Sequence, residues 1–120
     1  MKTALITGAS GLIGSEICRE FLLNGYTVHG VDKKPNPSLS QGNYHFHKCD
    51  ISSEADIKNV AKKLKSLDVL INCAARTDLT FIPFEKMTLK NWNDGIATNL
   101  TATFLFSKNF MKQLRKSKGS

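Results

Sequence analysis

The sequence contains few cysteines and has no apolar run long enough to cross a membrane. Its 120 residues include three cysteines, Cys18, Cys49 and Cys73, with no Cys-x-x-Cys pair and no histidine at ligand spacing. This scarcity disfavours a disulfide framework or a zinc site. A membrane-spanning helix needs about 18 consecutive apolar residues, and residues 1–6 are too short an apolar start for a secretion signal. We therefore expect a soluble, cytoplasmic protein with no membrane partner.

Acidic residues are also scarce, with 10 Asp and Glu against 17 Lys and Arg, for a net charge of +7. A basic surplus indicates a nucleic-acid partner only where the cations cluster on one surface. Here the densest groups fall at predicted helix ends, where cations offset the helix dipole: Lys62, Lys63, Lys65, and Lys112, Arg115, Lys116, Lys118. We expect no nucleic-acid partner, and nucleic-acid binding is the least favoured alternative.

The hydrophobic pattern predicts strands that alternate with helices. Strands are predicted at residues 4–7, 26–31, 44–51 and 67–71. Helices are predicted at residues 11–24, after the cap residues 52–56, and at residues 88–115, with residues 33–43 and 76–87 irregular. Such alternation favours right-handed crossovers in a doubly wound parallel α/β sheet, with strand order 3-2-1-4 and one domain over residues 1–120.

A glycine-rich turn joins the first predicted strand to the first helix, Gly8-Ala9-Ser10-Gly11-Leu12-Ile13-Gly14. Glycine permits a sharp turn and a close approach of the backbone to an anion. The N–H groups at the helix start then face a phosphate. In this strand–turn–helix context the residues Gly8, Ser10, Gly11, Leu12, Ile13 and Gly14 are predicted to bind a dinucleotide pyrophosphate.

An acid, Asp32, follows at the end of the second predicted strand, 18 residues beyond Gly14. A carboxylate there accepts hydrogen bonds from the adenosine ribose hydroxyls and repels a 2′-phosphate, so it favours NAD over NADP. The neighbouring cations Lys33 and Lys34 keep NADP open as an alternative.

With these features the chain resembles the short-chain dehydrogenase/reductase superfamily, which has a Rossmann-type fold. Four motifs carry the resemblance over the whole chain: Thr7 with the glycine-rich turn, Asp50-Ile51, Asn72-Cys73-Ala74-Ala75, and Trp92 with Asn99-Leu100. The resemblance implies that Asp50 and Ile51 border the adenine ring and that Asn72, Cys73 and Ala74 lie along the cofactor. It also implies a catalytic role for Asn99, which disrupts its helix locally and helps hold a proton-relay water.

The resemblance implies hydride transfer between a nicotinamide cofactor and a small carbonyl or alcohol substrate. The glycine spacing is that of the extended branch, rich in nucleotide-sugar epimerases and dehydratases, whereas the later motifs look more like the classical branch. An epimerase or dehydratase acting on a sugar derivative therefore stays open, as does a non-catalytic dinucleotide-binding module.

The family's catalytic Ser and Tyr-x-x-x-Lys follow the fifth strand, and we expect the chain to end before that strand and to be inactive alone. A literal Tyr-x-x-x-Lys occurs at Tyr44 to Lys48. On a strand these residues lie roughly 13 Å apart, too far for the lysine to tune the tyrosine. We do not expect this pair to act as a catalytic dyad.

Two other patterns have structural interpretations. His45 and His47 alternate on a predicted strand, and without a third ligand nearby they predict no metal site. Trp92, Phe104, Phe106 and Phe110 are predicted to form the core face of the long helix. The resemblance further implies that this helix packs against its twin in a homo-oligomer.

Overall fold

The computed structural model describes residues 1–40 and 42–120 and contains one parallel sheet. Its strands are β1 (Thr3–Thr7), β2 (Thr27–Asp32), β3 (Tyr44–Lys48) and β4 (Val69–Ile71). They are arranged in the order β3-β2-β1-β4, and every adjacent pair is parallel. The predicted doubly wound α/β architecture and strand order are confirmed.

Helices connect and follow the strands. These are α1 (Leu12–Leu23), α2 (Glu54–Lys63), α3 (Leu89–Ile96) and α4 (Ala102–Ser117), with a π-helical turn at Ala97–Thr101 between the last two. Short 3-10 turns lie at Pro37–Leu39, Asp78–Phe81 and Phe84–Lys86. In the described part of the chain, no helix has the length and apolarity that a membrane crossing requires.

Side chains alternate along each strand, so the sheet has two apolar faces and two core layers. One layer packs α1 against the sheet and includes Ala4, Ile6, Cys18, Val28 and Leu39. The other packs α2 and α4 against the opposite face and includes Leu5, Val31, Ile57, Val60, Phe106 and Phe110. This three-layer packing exposes the carboxyl ends of the strands at one rim, where the predicted site residues lie.

Some sequence-based predictions need correction. The third strand ends at Lys48 rather than at residue 51, because Asp50 turns the chain by accepting hydrogen bonds from Ser52. The core prediction holds for Phe106 and Phe110 but is wrong for Trp92 and Phe104, which are 55% and 60% exposed. The predicted long helix, now divided into α3, the π-helical turn and α4, has apolar residues on several sides, and only one side contacts the sheet.

The last residue lies beside β4 in the manner of a further parallel strand. The Ser120 N–H donates to the Asp68 carbonyl, and the Ser120 carbonyl accepts from the Leu70 N–H, both at 2.9 Å. A Cβ on Gly119 would lie 2.3 Å from the Asp68 carbonyl oxygen. The absence of a side chain at position 119 therefore permits this approach to the outer edge of β4.

Candidate functional site

A cleft of about 1050 Å³ opens at the carboxyl ends of β1, β2 and β4. Ten of the predicted cofactor-binding residues line it: Gly8, Gly11, Leu12, Ile13, Gly14, Asp32, Asp50, Ile51, Cys73 and Ala74. Ser10, Asn72 and Asn99 do not line it. The sheet topology therefore brings four sequence-distant motifs to one cavity, as expected for the switch point of a doubly wound sheet.

The shape of the glycine-rich turn (residues 8–14, hereafter the glycine turn) is fixed by close backbone contacts. A Cβ on Gly14 would lie 2.0 Å from the carbonyl oxygen of Gly8. Gly8 has a φ of +66°, and a Cβ there would lie 2.8 Å from the Cα of Ala74. Side chains at these two positions would collide with backbone atoms, so the turn requires glycine at both.

The start of α1 presents unpaired hydrogen-bond donors to the cleft. The first helical bond runs from the Ser15 N–H to the Gly11 carbonyl at 2.9 Å. Within the described residues, the N–H groups of Leu12, Ile13 and Gly14 have no protein acceptor, and no side chain caps the helix. Such a helix start, without acidic residues in its first turn, can bind an anion through its free N–H groups and its dipole.

Asp32 ends β2 and contacts the glycine turn. Its Oδ2 accepts a hydrogen bond from the Ser10 N–H at 3.0 Å, and its Oδ1 accepts one from the Lys33 N–H at 2.7 Å. Ser10 is held further by its hydroxyl, which donates to the Lys34 carbonyl at 2.5 Å. Ser10 thus supports the turn from outside the cleft. Each carboxylate oxygen of Asp32 retains acceptor capacity for another donor.

Asp50 and Ile51 line the same cleft after β3. Asp50 accepts hydrogen bonds from the Ser52 N–H at 3.0 Å and the Ser52 hydroxyl at 2.7 Å. These bonds, with a smaller effect of Lys33, lower the pKa of the Asp50 carboxyl. The preceding Cys49 is buried, and burial, followed by Asp56 and Asp50, raises its pKa to about 12. Its thiol is therefore protonated at neutral pH and suited to packing.

The buried hydroxyl of Thr7, which was not predicted to be a site residue, connects β1 to the segment after β4. The Thr7 Oγ1 accepts hydrogen bonds from the N–H groups of Cys73 at 3.1 Å and Ala74 at 3.0 Å. Thr7 is 2% exposed, so these bonds supply its buried hydroxyl oxygen with donors that water does not provide. Asn72, by contrast, directs its amide toward the Ser107 hydroxyl at 3.5 Å. A threonine at the end of a buried strand is the signal that could have identified this bridge.

Asn99 lies in the π-helical turn and fixes the start of the segment 76–87 (hereafter the Arg76 loop). Its Oδ1 accepts from the Arg76 N–H at 2.7 Å, and its Nδ2 donates to the Arg76 carbonyl at 3.1 Å. The turn is closed by the Ala102 N–H, which donates to the Ala97 carbonyl five residues earlier. The predicted local helix disruption at Asn99 is observed, and such insertions are frequent at functional sites.

Charged side chains surround this end of the cleft. Arg76 contacts both oxygens of Asp78, at 2.9 and 3.0 Å, and approaches Asp94 at 3.7 Å. Asp94 also pairs with Lys90 at 2.7 Å, and this contact lowers the pKa of the Asp94 carboxyl. Arg76 and Asp94 line the cleft together with Thr77, Ala97 and Thr98. None of these five residues was among the predicted cofactor-binding residues.

A histidine cluster (His29, His45 and His47) lies on β2 and β3. The Nδ1 of His29 is 2.8 Å from the Nε2 of His47, and its ring stacks on both neighbours with centroids 5.0 and 5.1 Å apart. His29 is thus a third histidine that the sequence pattern had not placed there. Even so, residues 1–40 and 42–120 contain no group of three or more His, Cys, Asp or Glu arranged to hold a metal ion.

Comparisons with known proteins extend these observations. The family model described as short chain dehydrogenase matches residues 2–120. D-threitol dehydrogenase of Mycolicibacterium smegmatis is 27% identical over 130 residues, covering 98% of this chain and 49% of that protein. Acetoacetyl-CoA reductase of Shinella zoogloeoides is 37% identical over 111 residues, covering 86% of this chain and 45% of that protein.

A solved structure shows the same likeness in three dimensions. A short chain dehydrogenase from Leptospira borgpetersenii with bound NAD+ superimposes with a TM-score of 0.89 at 33% identity, covering 98% of this chain and 48% of that chain. The chain therefore spans about half the length of the relatives that it matches.

Proposed function

This chain belongs to the short chain dehydrogenase family, and we propose that it binds a nicotinamide dinucleotide in the cleft. We propose further that the whole protein transfers a hydride between that cofactor and a small carbonyl or alcohol substrate. The observation that supports this best is the glycine turn. Its glycines have no side chains, which leaves space for a pyrophosphate, and its unpaired N–H groups can donate hydrogen bonds to it. The dehydrogenase and reductase names of the relatives favour this function over the epimerase alternative.

In this proposal, different residues of the cleft bind different parts of the cofactor. The N–H groups of Leu12, Ile13 and Gly14 donate to the pyrophosphate, and Asp32 accepts from the ribose hydroxyls. Asp50 and Ile51 border the adenine, while Cys73 and Ala74 lie along the cofactor, with Asn72 supporting their segment. When bound, the nicotinamide supplies or accepts the hydride.

Asn99 acts as a positioning residue in this scheme. Its two bonds to Arg76 hold the backbone on the β4 side of the cleft, whereas Asp32 ends β2 on the other side of β1. Within the described residues, the Tyr-x-x-x-Lys sequence at Tyr44 and Lys48 spans strand β3 from end to end, so Lys48 is too far from Tyr44 to tune it as the family's dyad requires. We therefore expect these 120 residues alone to bind cofactor without catalysing turnover.

NAD is the proposed cofactor, with NADP as the alternative. The Asp32 carboxylate disfavours a 2′-phosphate by charge repulsion. Calorimetric titration of the chain with NAD and with NADP tests both the site and its preference, and tighter binding of NAD is expected. The variant Asp32→Ala should weaken NAD binding and reduce the discrimination against NADP.

The variant Asp32→Asn is the matched control, because it removes the charge and keeps an oxygen that can accept from the Ser10 N–H. If charge sets the preference, Asp32→Asn loses discrimination while it retains more NAD affinity than Asp32→Ala. Equal affinities of the unmutated chain for NAD and NADP would contradict the role of Asp32. Failure of both cofactors to bind would contradict the function itself.

We also propose that the protein self-associates through the outer side of α3 and α4. Exposed apolar residues recur there at helical spacing: Leu89, Trp92, Ile96, Leu100, Phe104 and Met111. A contiguous apolar surface of this kind marks an interaction site. Sedimentation should show a concentration-dependent dimer that Phe104→Lys shifts toward monomer, and a monomer at all concentrations would contradict the proposal.

A further inference from the structure

The net positive charge of the chain lies on two neighbouring helices. Residues 54–65 and 102–118, which comprise α2 and α4 with the first residues after each, contain nine Lys and Arg against two Asp and Glu. The rest of the chain contains eight of each. The surplus of +7 therefore belongs to the helical layer that covers one face of the sheet. The two groups of cations that the sequence places at separate helix ends are neighbours in the fold.

The helices α2 and α4 pack side by side, and contacts near both ends of α2 fix their alignment. Near its start, one carboxylate oxygen of Glu54 is 3.4 Å from the Lys58 Nζ and 3.6 Å from the Lys108 Nζ. Near its end, the Gln113 side-chain amide donates to the Ala61 carbonyl at 2.9 Å. The two helices therefore run alongside each other, and cations of both lie at the same surface.

Lysines recur at four-residue spacing along the exposed surface of both helices: Lys58 and Lys62 on α2, and Lys108, Lys112 and Lys116 on α4. Residues four apart lie on one side of a helix, about 6 Å apart along its axis. We call these five lysines the basic face. Among the described residues, only Lys58 and Lys108 of this set form salt bridges, and they share the single carboxylate of Glu54.

Compensation of the helix dipoles accounts for only part of the basic face. Lys62 and Lys116 occupy the last turns of α2 and α4, where a cation offsets the dipole. Lys58, Lys108 and Lys112 lie before the last turns, where this effect has fallen off. The expectation that the chain has no nucleic-acid partner rested on cations confined to helix ends, and the two rows of lysines extend beyond those ends.

The basic face lacks the apolar side chains that other anionic partners require. An amphipathic helix on a membrane inserts apolar side chains beside its cations, and no large apolar residue of α2 is exposed. Those exposed on α4, Phe104 and Met111, belong to the surface proposed for self-association. Stable protein interfaces depend on anchors such as Trp and Tyr, which neither helix contains. The backbone of a nucleic acid, by contrast, is bound through cations alone.

We propose that the basic face binds the phosphodiester backbone of a nucleic acid, DNA or RNA, without selecting its sequence. Phosphate oxygens accept charge-assisted hydrogen bonds from ammonium groups. The row on α4 extends over roughly 12 Å of helix axis, which is the length of several successive phosphates. None of the five lysines lines the cofactor-binding cleft, so this site does not depend on the proposed cofactor function.

Fluorescence anisotropy of the 120-residue chain with a labelled duplex DNA and a labelled single-stranded RNA tests the proposal. Affinity should fall about 100-fold between about 50 and 200 mM salt, as expected for about four phosphate contacts. The double variant Lys62→Gln/Lys112→Gln removes one cation from each helix. It should lose about tenfold in affinity at the lower salt concentration and reduce the salt slope by about 2.

The matched control is Lys2→Gln/Lys86→Gln, which makes the same change of net charge at exposed positions outside the basic face. It should keep the salt slope of the unmutated chain. An equal loss of affinity in the control would assign binding to the overall charge and overturn the proposal, as would unaltered affinity in Lys62→Gln/Lys112→Gln. Denaturation midpoints of both variants should match that of the unmutated chain, because all four side chains are exposed.

Parallel titrations separate this proposal from other partners and from the cofactor function. Lysine-dependent binding of polyglutamate, or of vesicles of phosphatidylserine and phosphatidylcholine, without binding of DNA or RNA would overturn the assignment to nucleic acid. NAD should bind the double variant and the unmutated chain equally. If NAD binds neither while DNA or RNA binding depends on Lys62 and Lys112, the cofactor function is wrong and the basic face stands.

Discussion

At the glycine turn, a Cβ on Gly14 would lie 2.0 Å from a backbone oxygen, whereas the Arg76 loop on the β4 side of the cleft is held by two hydrogen bonds from one exposed side chain, Asn99. The glycine turn has no room for a Cβ at position 14, because the atom that this Cβ would meet belongs to the backbone and cannot move aside as a side chain can. The Arg76 loop is held by polar contacts, and water competes for the same hydrogen-bonding groups. We therefore expect substitutions at the glycine turn to cost much more, in stability and in cofactor affinity, than substitutions at the Arg76 loop.

The largest expected effect is that of Gly14→Ala. The added methyl would force the start of α1 away from Gly8, at a cost of about 3 kcal/mol in the free energy of unfolding. If the displaced N–H groups bind the pyrophosphate, NAD affinity should fall at least about 100-fold. Chemical denaturation and calorimetry measure the two losses.

Gly95→Ala is the matched control in the region of the Arg76 loop. A Cβ on Gly95, inside α3, would meet only the flexible end of Leu79, at 3.0 Å. This variant should be neutral or more stable by up to about 1 kcal/mol, because alanine favours a helix. Comparable losses of stability in Gly14→Ala and Gly95→Ala would contradict the expected contrast between the glycine turn and the region of the Arg76 loop.

Acid should weaken the side of the sheet formed by β2 and β3. Burial, followed by His47 and His45, lowers the pKa of His29 from 6.5 to about 4. Because the unfolded chain takes up the proton first, the contribution of neutral His29 is complete above pH 6.5. It is lost as the pH falls from 6.5 toward 4. We expect a loss of about 1 kcal/mol between pH 7.5 and pH 5.5, discounted for partial solvent exposure.

Denaturation midpoints at the two pH values measure this loss, and amide hydrogen exchange locates it. Exchange should increase in β3 before it increases in β4, which contains no histidine. His29→Gln removes the titrating group and should flatten the pH dependence over this range. The same slope in His29→Gln and the unmutated chain would assign the effect to other groups.

The smallest expected effect is that of Asn99→Ala. The variant loses both bonds to the Arg76 backbone, whose groups water can partly satisfy, so we expect a cost of about 1 kcal/mol. NAD affinity should change less than about threefold, because the glycine turn is untouched. Asn93→Ala, in α3, is the control, since Asn93 makes no side-chain hydrogen bond among the described residues. A loss of NAD affinity as large as that in Gly14→Ala would show that the Arg76 loop matters as much for binding.

The same contrast explains what the sequence could predict. The strand order and the position of Asp32 at a strand end follow from hydrophobic periodicity, and the glycine turn follows from backbone conformations that few residue types other than glycine tolerate. The side-chain network of Arg76, Asp78 and Asp94 could not be predicted in this way. Which carboxylate a long charged side chain contacts depends on the folded path of the loop. The π-helical turn was expected only through the family resemblance, since residues 97–101 carry no breaking residue such as proline.

Burial on the long helix was predictable only in part. Phe104 and Phe106 are two residues apart and therefore face different sides of α4, yet both were predicted to be core. Only the packing of α4 on the sheet decides which of them is buried. His29 illustrates a further limit, because its contact with His47 joins residues 18 apart and depends on the register of β2 with β3.

The two roles of Asp32 constrain how cofactor preference can change in evolution. Its carboxylate is proposed to select the ribose, and it also holds the Ser10 N–H of the glycine turn. A single exchange to a residue without a side-chain oxygen would therefore disturb the turn that both cofactors need, whereas an exchange to asparagine removes the charge and keeps the acceptor. Lineages that change preference through any residue lacking that acceptor pass through a weaker binder or first acquire a second substitution that holds the turn, so the order of mutations matters on those routes.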